Sequence, residues 1–370
     1  MSDPVRIGLV GCGAISGAYL SAAPSFPVMK VVACADLSRE AAERKAAEFG
    51  VPRVCTVDEL LADNSVDVVL NLTVPKAHAE IALRALEAGK HTYSEKPLGI
   101  NRDEGRRIVE GAAAHGLRVG CAPDTFLGSG VQTARKLIDG GAIGKPVAFT
   151  AFCMSRGHES WHPAPEFYYQ RGGGPMFDMG PYYLTALFNL LGPVRRLTGA
   201  ASVAVPERTI TSQPRAGKKI RVETPDHVCA TMEFENGATG VIIQSFATYH
   251  PQYDERQPIT VYGSEGTLKV PDPNTFDGPV HVRGAGDRDW REVPPIFQTG
   301  YGRSVGLADL AHAIRSGRRH RAGGELAFAV LDVMQGFFDS SESGRAYAPV
   351  AKFDRPAPMP ADMPFGQLDD

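Results

Sequence analysis

Short apolar runs alternate along the first third of the chain with longer stretches whose apolar residues recur every three or four positions. That alternation predicts a βα repeat. The runs 5–10, 30–35, 66–71, 91–94 and 117–121 have strand length. The run 66–71 is rich in β-branched residues, as strands buried on both faces are. Between the strands, helices are expected over 18–23, 39–49, around 58–61, and over 78–88 and 102–115. Gly50 stops the second of these, and Ile81, Leu83, Ala85 and Leu86 supply the buried face of the fourth. Such units joined by right-handed crossovers make a doubly wound parallel sheet, a Rossmann-type domain over residues 1–123.

Past residue 124 the period changes. A helix is expected over 129–140 and a strand over 147–152, followed by a helix over 178–191 with Leu184, Leu187, Phe188 and Leu191 on one face. Strand patterns then cover 198–205, 228–234, 239–247, 259–262 and 267–270, and Asn236-Gly237 between two of them is a hairpin signal. Helices over 306–316 and 324–340 follow. The expected second domain, 124–345, is therefore α+β with an open, mostly antiparallel sheet whose free face suits contact with a second copy of the chain. Five prolines between 346 and 370 predict an extended tail, either mobile or laid along a neighbouring subunit.

Composition narrows the partners. Charged residues are 22% of the 370 and the net charge is −3, so there is no basic excess of the kind nucleic-acid binding needs. The run 315–321 holds four arginines and a histidine, which a solvated helix end explains. The six cysteines are scattered without metal-ligand spacing and are expected to be reduced. No apolar run approaches the length of a membrane span, so a soluble cytoplasmic protein is expected.

The first strand leads into Gly11-Cys12-Gly13-Ala14-Ile15-Ser16-Gly17, where Gly11 allows a tight turn and Gly13 lets a pyrophosphate approach backbone N–H groups. Asp36 ends the second strand, 23 residues after Gly13, at the distance where a carboxylate meets the ribose hydroxyls of NAD. Arg39 keeps NADP open, because a guanidinium pairs with a 2′-phosphate. Cys12, Ala14, Ile15 and Leu37 are placed on the cofactor with these. Thr73 and Pro75 follow the third strand toward the nicotinamide side, and His78 opens the next helix. Glu95-Lys96-Pro97 ends the fourth strand, where position gives an otherwise weak tripeptide its meaning: Lys96 lies beside the nicotinamide.

The loop 156–169 is dense in aromatic and imidazole groups, among them His158, Trp161, His162 and Tyr168. Aromatic faces suit the C–H faces of a sugar ring, and indole, phenol and imidazole groups satisfy its hydroxyls. Pro163 and Pro165 argue against the helix that a metal-binding His158/His162 pair would need. Asp178 and Tyr182 stand one helical turn apart, a spacing suited to proton relay.

Gly11-Cys12-Gly13-Ala14-Ile15, Asp36, Thr73-Val74-Pro75 with His78, and Glu95-Lys96-Pro97 together resemble the glucose–fructose oxidoreductase/inositol dehydrogenase/rhizopine-catabolism (Gfo/Idh/MocA) family, over roughly residues 5–344. The resemblance implies a Rossmann domain, a C-terminal α/β domain whose open sheet faces the cofactor and often mediates oligomerisation, and NAD(P)-dependent chemistry on a hydroxyl of a sugar or cyclic polyol. It also implies an aspartate at 178, a glycine at 180 and a histidine at 182. The last is Tyr182 here, as in the glucose–fructose oxidoreductase branch, so Tyr182 inherits the histidine's role.

An unperturbed lysine, pKa about 10.4, is a poor base, and partial burial beside a nicotinium charge lowers it toward roughly 7–8. Lys96 then exchanges the proton of the reacting oxygen, Tyr182 shares the transfer, and Asp178 orients both and binds a neighbouring hydroxyl. Two other readings compete. One is an NAD-dependent glycosidase or lyase working through a 3-keto glycoside; the other is a non-catalytic nucleotide-sensing protein. The expected partners are a small sugar or polyol and further copies of the chain, as a homodimer or homotetramer.

Overall fold

The computed structural model describes residues 3–369. These form two compact units. The first holds the chain up to Ser129, Ile296–Phe328 and the segment from Pro356; the second holds Gly130–Pro295 and Ala329–Arg355. The chain thus returns to its first unit twice, where the sequence suggested contiguous domains.

In the first unit β1 (Val5–Val10), α1 (Ser16–Ala22), β2 (Met29–Ala35), α2 (Arg39–Phe49), α3 (Val57–Ala62), β3 (Val68–Asn71), α4 (Pro75–Glu87), β4 (His91–Ser94), α5 (Arg102–His115) and β5 (Val119–Cys121) alternate as expected. The five strands are parallel in the order β2-β1-β3-β4-β5. Val10 lies beside Ala35 and Asn71, and Asn71 beside Ser94, so the strand ends are level. Gly11, Asp36, Leu72 and Glu95 therefore leave the sheet along one carboxyl edge, where open α/β sheets bind ligands. Val10, Ala33, Ala35, Leu60, Leu61, Val69, Ile81 and Ala85 pack as one buried cluster beneath that edge.

Local signals set the helix ends. Ser38 accepts from the Ala41 N–H and caps α2, Gly50 ends it in the left-handed region at φ 68°, and Thr56 with Glu59 forms a reciprocal capping box on α3. α4 begins at Pro75, three residues earlier than expected, because a proline in the first turn lacks only an N–H that would go unpaired there. His78 is consequently inside the helix.

The second unit contains α6 (Ser129–Asp139), β6 (Pro146–Met154), α7 (Gly174–Asp178), α8 (Gly180–Leu191), β7 (Val194–Ser202), β8 (Glu207–Thr209), β9 (Lys219–Arg221), β10 (His227–Phe234), β11 (Thr239–Ser245), β12 (Ile259–Gly263), β13 (Gly266–Val270), β14 (Val280–Gly284) and β15 (Arg291–Val293). Eight of these strands form an open sheet in the order β15-β14-β13-β12-β6-β11-β10-β7, antiparallel except for β6 with β11. The helix expected over 178–191 breaks at Met179 into α7 and α8, since Pro181 has no N–H to give and its ring clashes with the preceding turn. β8, β9 and β15 are three-residue strands carrying charges, too short to stand out along the chain, although Lys219-Ile220-Arg221-Val222 alternates around β9.

α9 (Val305–Ser316) belongs to the first unit, and α10 (Gly324–Ser343) follows it. Only the start of the charge run 315–321 is a solvated helix end, with Arg315, Ser316 and Gly317 exposed where α9 stops. Arg321, only 3% exposed, lies between the fully buried Asp309 and both carboxylate oxygens of Asp369, each at 2.8 Å. Arg318 reaches Asp309 as well, at 2.8 Å. The end of the tail is packed, with Met359 and Leu368 buried and Phe365 stacked on Tyr301 at 5.0 Å. Among the described residues no helix is long and apolar enough to cross a membrane.

Candidate active site

Gly11 turns the chain at φ 99°, and a Cβ there would strike the backbone of Leu72 at 2.6 Å. Gly13 is different: a Cβ on it would meet nothing within 4 Å. Among the described residues, no protein acceptor takes the N–H groups of Gly13, Ala14 and Ile15. These donors lie in the turn beyond the tip of β1, where backbone N–H groups suit an anionic pyrophosphate. Asp36 braces the turn: the Cys12 N–H donates to its Oδ2 at 2.7 Å and the Ser38 N–H to its Oδ1 at 2.8 Å. Each carboxylate oxygen retains acceptor capacity for a ribose hydroxyl. Leu37, fully exposed beside Asp36, and Val74, 67% exposed, present apolar surface at the same edge. Arg39 pairs with Glu43 at 2.8 Å on the exposed α2 surface, a weak tie that does not lock its guanidinium in place. The turn, the carboxylate and the exposed leucine fit a dinucleotide.

Those two glycines predict opposite outcomes on substitution. Gly13→Val is expected to leave the melting temperature within about 2 °C yet weaken NAD binding at least about tenfold, whereas Gly11→Ala destabilises the first unit itself. Calorimetric titration with NAD, alongside thermal melting, checks both.

The strand end carrying Lys96 is braced from two sides. Tyr19, fully buried, donates its hydroxyl to Glu95 Oε1 at 2.9 Å, and the Lys96 N–H donates to Glu95 Oε2 at 2.9 Å. Burial drives the Tyr19 phenol well above its ordinary range, helped by the Glu95 charge, so it stays a donor. On the other side His78, with no exposed surface, sets Nδ1 against the Pro97 carbonyl at 2.7 Å and Nε2 against the Thr73 carbonyl at 3.0 Å. Burial pulls its pKa down while those carbonyls pull it back. His78 and Glu95 are thus buried struts that fix the turns around Lys96. Asn71 completes the frame, its Oδ1 accepting from Thr73 Oγ1 at 2.7 Å and its amide donating to the His78 carbonyl at 3.0 Å. Pro75 opens α4 beside them.

In the second unit the loop 156–169 is rigidified from beneath. Arg208, without exposed surface, donates to Glu159 at 2.7 Å, Asp226 at 2.8 Å and the carbonyls of Arg156 and Phe246 at 2.6 Å each, and lies 4.7 Å over the Tyr169 ring. The Tyr169 hydroxyl donates to Glu159 and accepts from the His158 N–H. Burial pushes Glu159 upward, yet the Tyr169 hydroxyl and the Arg208 guanidinium hold it below the usual carboxylate range.

On this base His158 places Nε2 at 3.1 Å from Asp178 Oδ2. Its ring is packed by Tyr168 at 3.8 Å, Phe246 at 4.6 Å and Trp161 at 5.1 Å. Trp161 is 62% exposed. The half-buried His162 accepts the Ala164 N–H at Nδ1, and its pKa is lowered by burial and by His158. Tyr182 is buried in the first turn of α8, just past the break that follows Asp178. The structure therefore joins His158, Trp161, His162, Tyr168 and Asp178 in one cluster.

Sequence reasoning missed Tyr19, Asn71, Glu159 and Arg208. Asn71 alone left a trace, as the polar residue that ends an apolar strand.

Residues 5–122 match the family described as "Oxidoreductase family, NAD-binding Rossmann fold", and residues 131–269 match the GFO/IDH/MocA C-terminal domain. Inositol 2-dehydrogenase 3 from Saccharopolyspora erythraea is 27% identical over 95% of this chain and 97% of its own. Levoglucosan dehydrogenase from Pseudarthrobacter phenanthrenivorans is 28% identical over 71% of this chain and 73% of its own. The crystal structure of an NAD binding oxidoreductase from Klebsiella pneumoniae superposes with a TM-score of 0.81 at 25% identity, covering 95% of this chain and all of that one.

Proposed function

The chain belongs to the Gfo/Idh/MocA family of NAD-binding oxidoreductases, and from that premise we propose that it is a dehydrogenase acting on a secondary hydroxyl of a sugar, sugar derivative or cyclic polyol. The observation that carries this reading is the level carboxyl edge of the parallel sheet. One line of strand ends holds the open glycine turn, the ribose-side carboxylate Asp36 and the doubly braced Lys96. The relatives' names support the substrate class, since they act on inositol and levoglucosan.

Bound NAD supplies the hydride acceptor. Gly11, Cys12, Gly13, Ala14 and Ile15 bind its pyrophosphate, Asp36 and Leu37 its adenosine half, and Thr73, Pro75 and Lys96 the nicotinamide side. Lys96 takes the hydroxyl proton at Nζ, Tyr182 shares that transfer at its phenol oxygen, and Asp178 orients the substrate through a neighbouring hydroxyl. Trp161 and Tyr168 cover the sugar's C–H face, with His162 at its rim, while His158 reaches the substrate through Asp178. Six unpaired cysteines support a reducing, cytoplasmic setting. The open sheet of the second unit supports a homodimer or homotetramer.

A screen of pentoses, hexoses, inositols and glycosides with NAD and NADP tests the reading. Reduced cofactor is expected to accumulate with at least one polyol or sugar, NAD being preferred about tenfold or more through Asp36. Cleavage of a glycoside with no net reduced cofactor would overturn it in favour of the redox-assisted glycosidase.

A further inference from the structure

We propose that His158 is the positioning residue for Asp178: a loop-borne imidazole whose Nε2–H holds the carboxylate in its working orientation. The inference rests on the reading of Asp178 as a substrate-side group. Asp178 is the last residue of α7, and the chain breaks at Met179 before α8 begins. No continuous helix therefore fixes its side chain from the C-terminal side. Four residues on, where a helix would present its next group, stands Tyr182, so α8 offers Asp178 no imidazole. The loop 156–169 brings one instead, at 3.1 Å.

That imidazole has little freedom. Tyr168 and Phe246 pack the ring at 3.8 and 4.6 Å, and the Tyr169 hydroxyl holds its backbone N–H at 3.0 Å. Tyr169 is itself fixed by Glu159 beneath it. A carboxylate can only accept, so the nitrogen facing it carries the proton. Nδ1, on the other side of the ring, is buried and among the described residues has no protein partner. Nothing on the far side of the ring competes with Asp178 for its orientation. Both side chains are shielded, 11% and 15% exposed, which strengthens a hydrogen bond to an ionised group. Through Asp178, His158 governs how well a bound hydroxyl is aligned, and alignment is felt in turnover more than in binding.

Two substitutions separate this role from packing. His158→Gln keeps an N–H close to the Nε2 position; His158→Phe keeps the ring stack and removes the donor. With the best substrate of the screen, His158→Phe is expected to lower kcat at least about tenfold with KM within about threefold, and His158→Gln to recover most of the loss. Added to Asp178→Asn, His158→Phe is expected to cost less than about a further twofold, because its effect passes through the carboxylate. Wild-type kcat in His158→Phe, equal damage in both variants, or full additivity with Asp178→Asn would each overturn the proposal. If His158→Phe fails to fold, proton NMR of histidine-labelled wild type decides. A slowly exchanging Nε2–H signal that disappears in Asp178→Asn is expected, and a spectrum without it overturns the proposal. That measurement uses neither substrate nor cofactor, so it stands apart from failure of the dehydrogenase reading.

Discussion

Replacing Arg208 with methionine is expected to lower the melting temperature of the second unit by about 10 °C, the largest stability loss of any single substitution in that unit. Arg208 has no exposed surface, and its guanidinium neutralises Asp226, which is equally buried, and Glu159, which is nearly so. Breaking a buried pair while leaving a carboxylate behind costs roughly 3–5 kcal/mol, and a unit of this size loses about 2–4 °C per kcal/mol. Methionine fills comparable space, so the loss reflects stranded charge more than a cavity. Differential scanning calorimetry resolves it from the melting of the first unit.

The sign of the pH dependence separates charge from packing. In the wild type Glu159 is held below the ordinary glutamate range, so its contribution is present above about pH 4.3 and is lost as pH falls through the lower folded value. Without Arg208 the same carboxyl keeps only the Tyr169 hydroxyl, its folded value rises above that of the wild type, and acid relieves part of the stranded charge. The deficit of Arg208→Met should therefore shrink as pH is lowered from 7 to about 5, and adding Glu159→Gln should recover part of it at pH 7. A deficit independent of pH would mean that Arg208 acts through packing alone.

The parallel sheet was legible because each of its signals is local. Strand runs, Gly50 and the Gly13-to-Asp36 spacing all lie within a few dozen residues, and the elements follow them closely. What stayed hidden is long-range. Tyr19 meets Glu95 across 76 residues, and Arg321 meets Asp369 across 48, so the arginine-rich run looked solvated when its neutralising carboxylates lay elsewhere. Arg208 stands in a three-residue strand with no period at all. One miss was avoidable: Pro181 within the expected 178–191 helix is itself a break signal, and heeding it separates Asp178 from the helix that carries Tyr182. The aromatic loop was recognised by composition, but composition does not say which histidine meets which acid; that choice is made by the buried ion network beneath it.

Lys96→Met is expected to lower kcat by about a thousandfold while leaving NAD affinity within about threefold and the melting temperature within about 2 °C. The size of the effect is what a positioned proton-transfer group supplies, roughly 10²–10⁴-fold. The small structural effect follows from where the turn gets its rigidity. Its backbone is held by Glu95 through Tyr19 and by His78 through the Pro97 carbonyl, and none of those bonds uses the lysine side chain. Methionine removes charge and proton together, so Lys96→Arg is the sharper partner experiment. Arginine keeps the positive charge beside the reacting oxygen but does not give up its proton near neutral pH. If Lys96 acts by exchanging a proton, Lys96→Arg falls nearly as far as Lys96→Met; if it acts as a fixed charge, arginine restores most of the rate. Turnover in either variant equal to wild type, with NAD still bound, would remove Lys96 from the chemistry and leave Tyr182 to carry it.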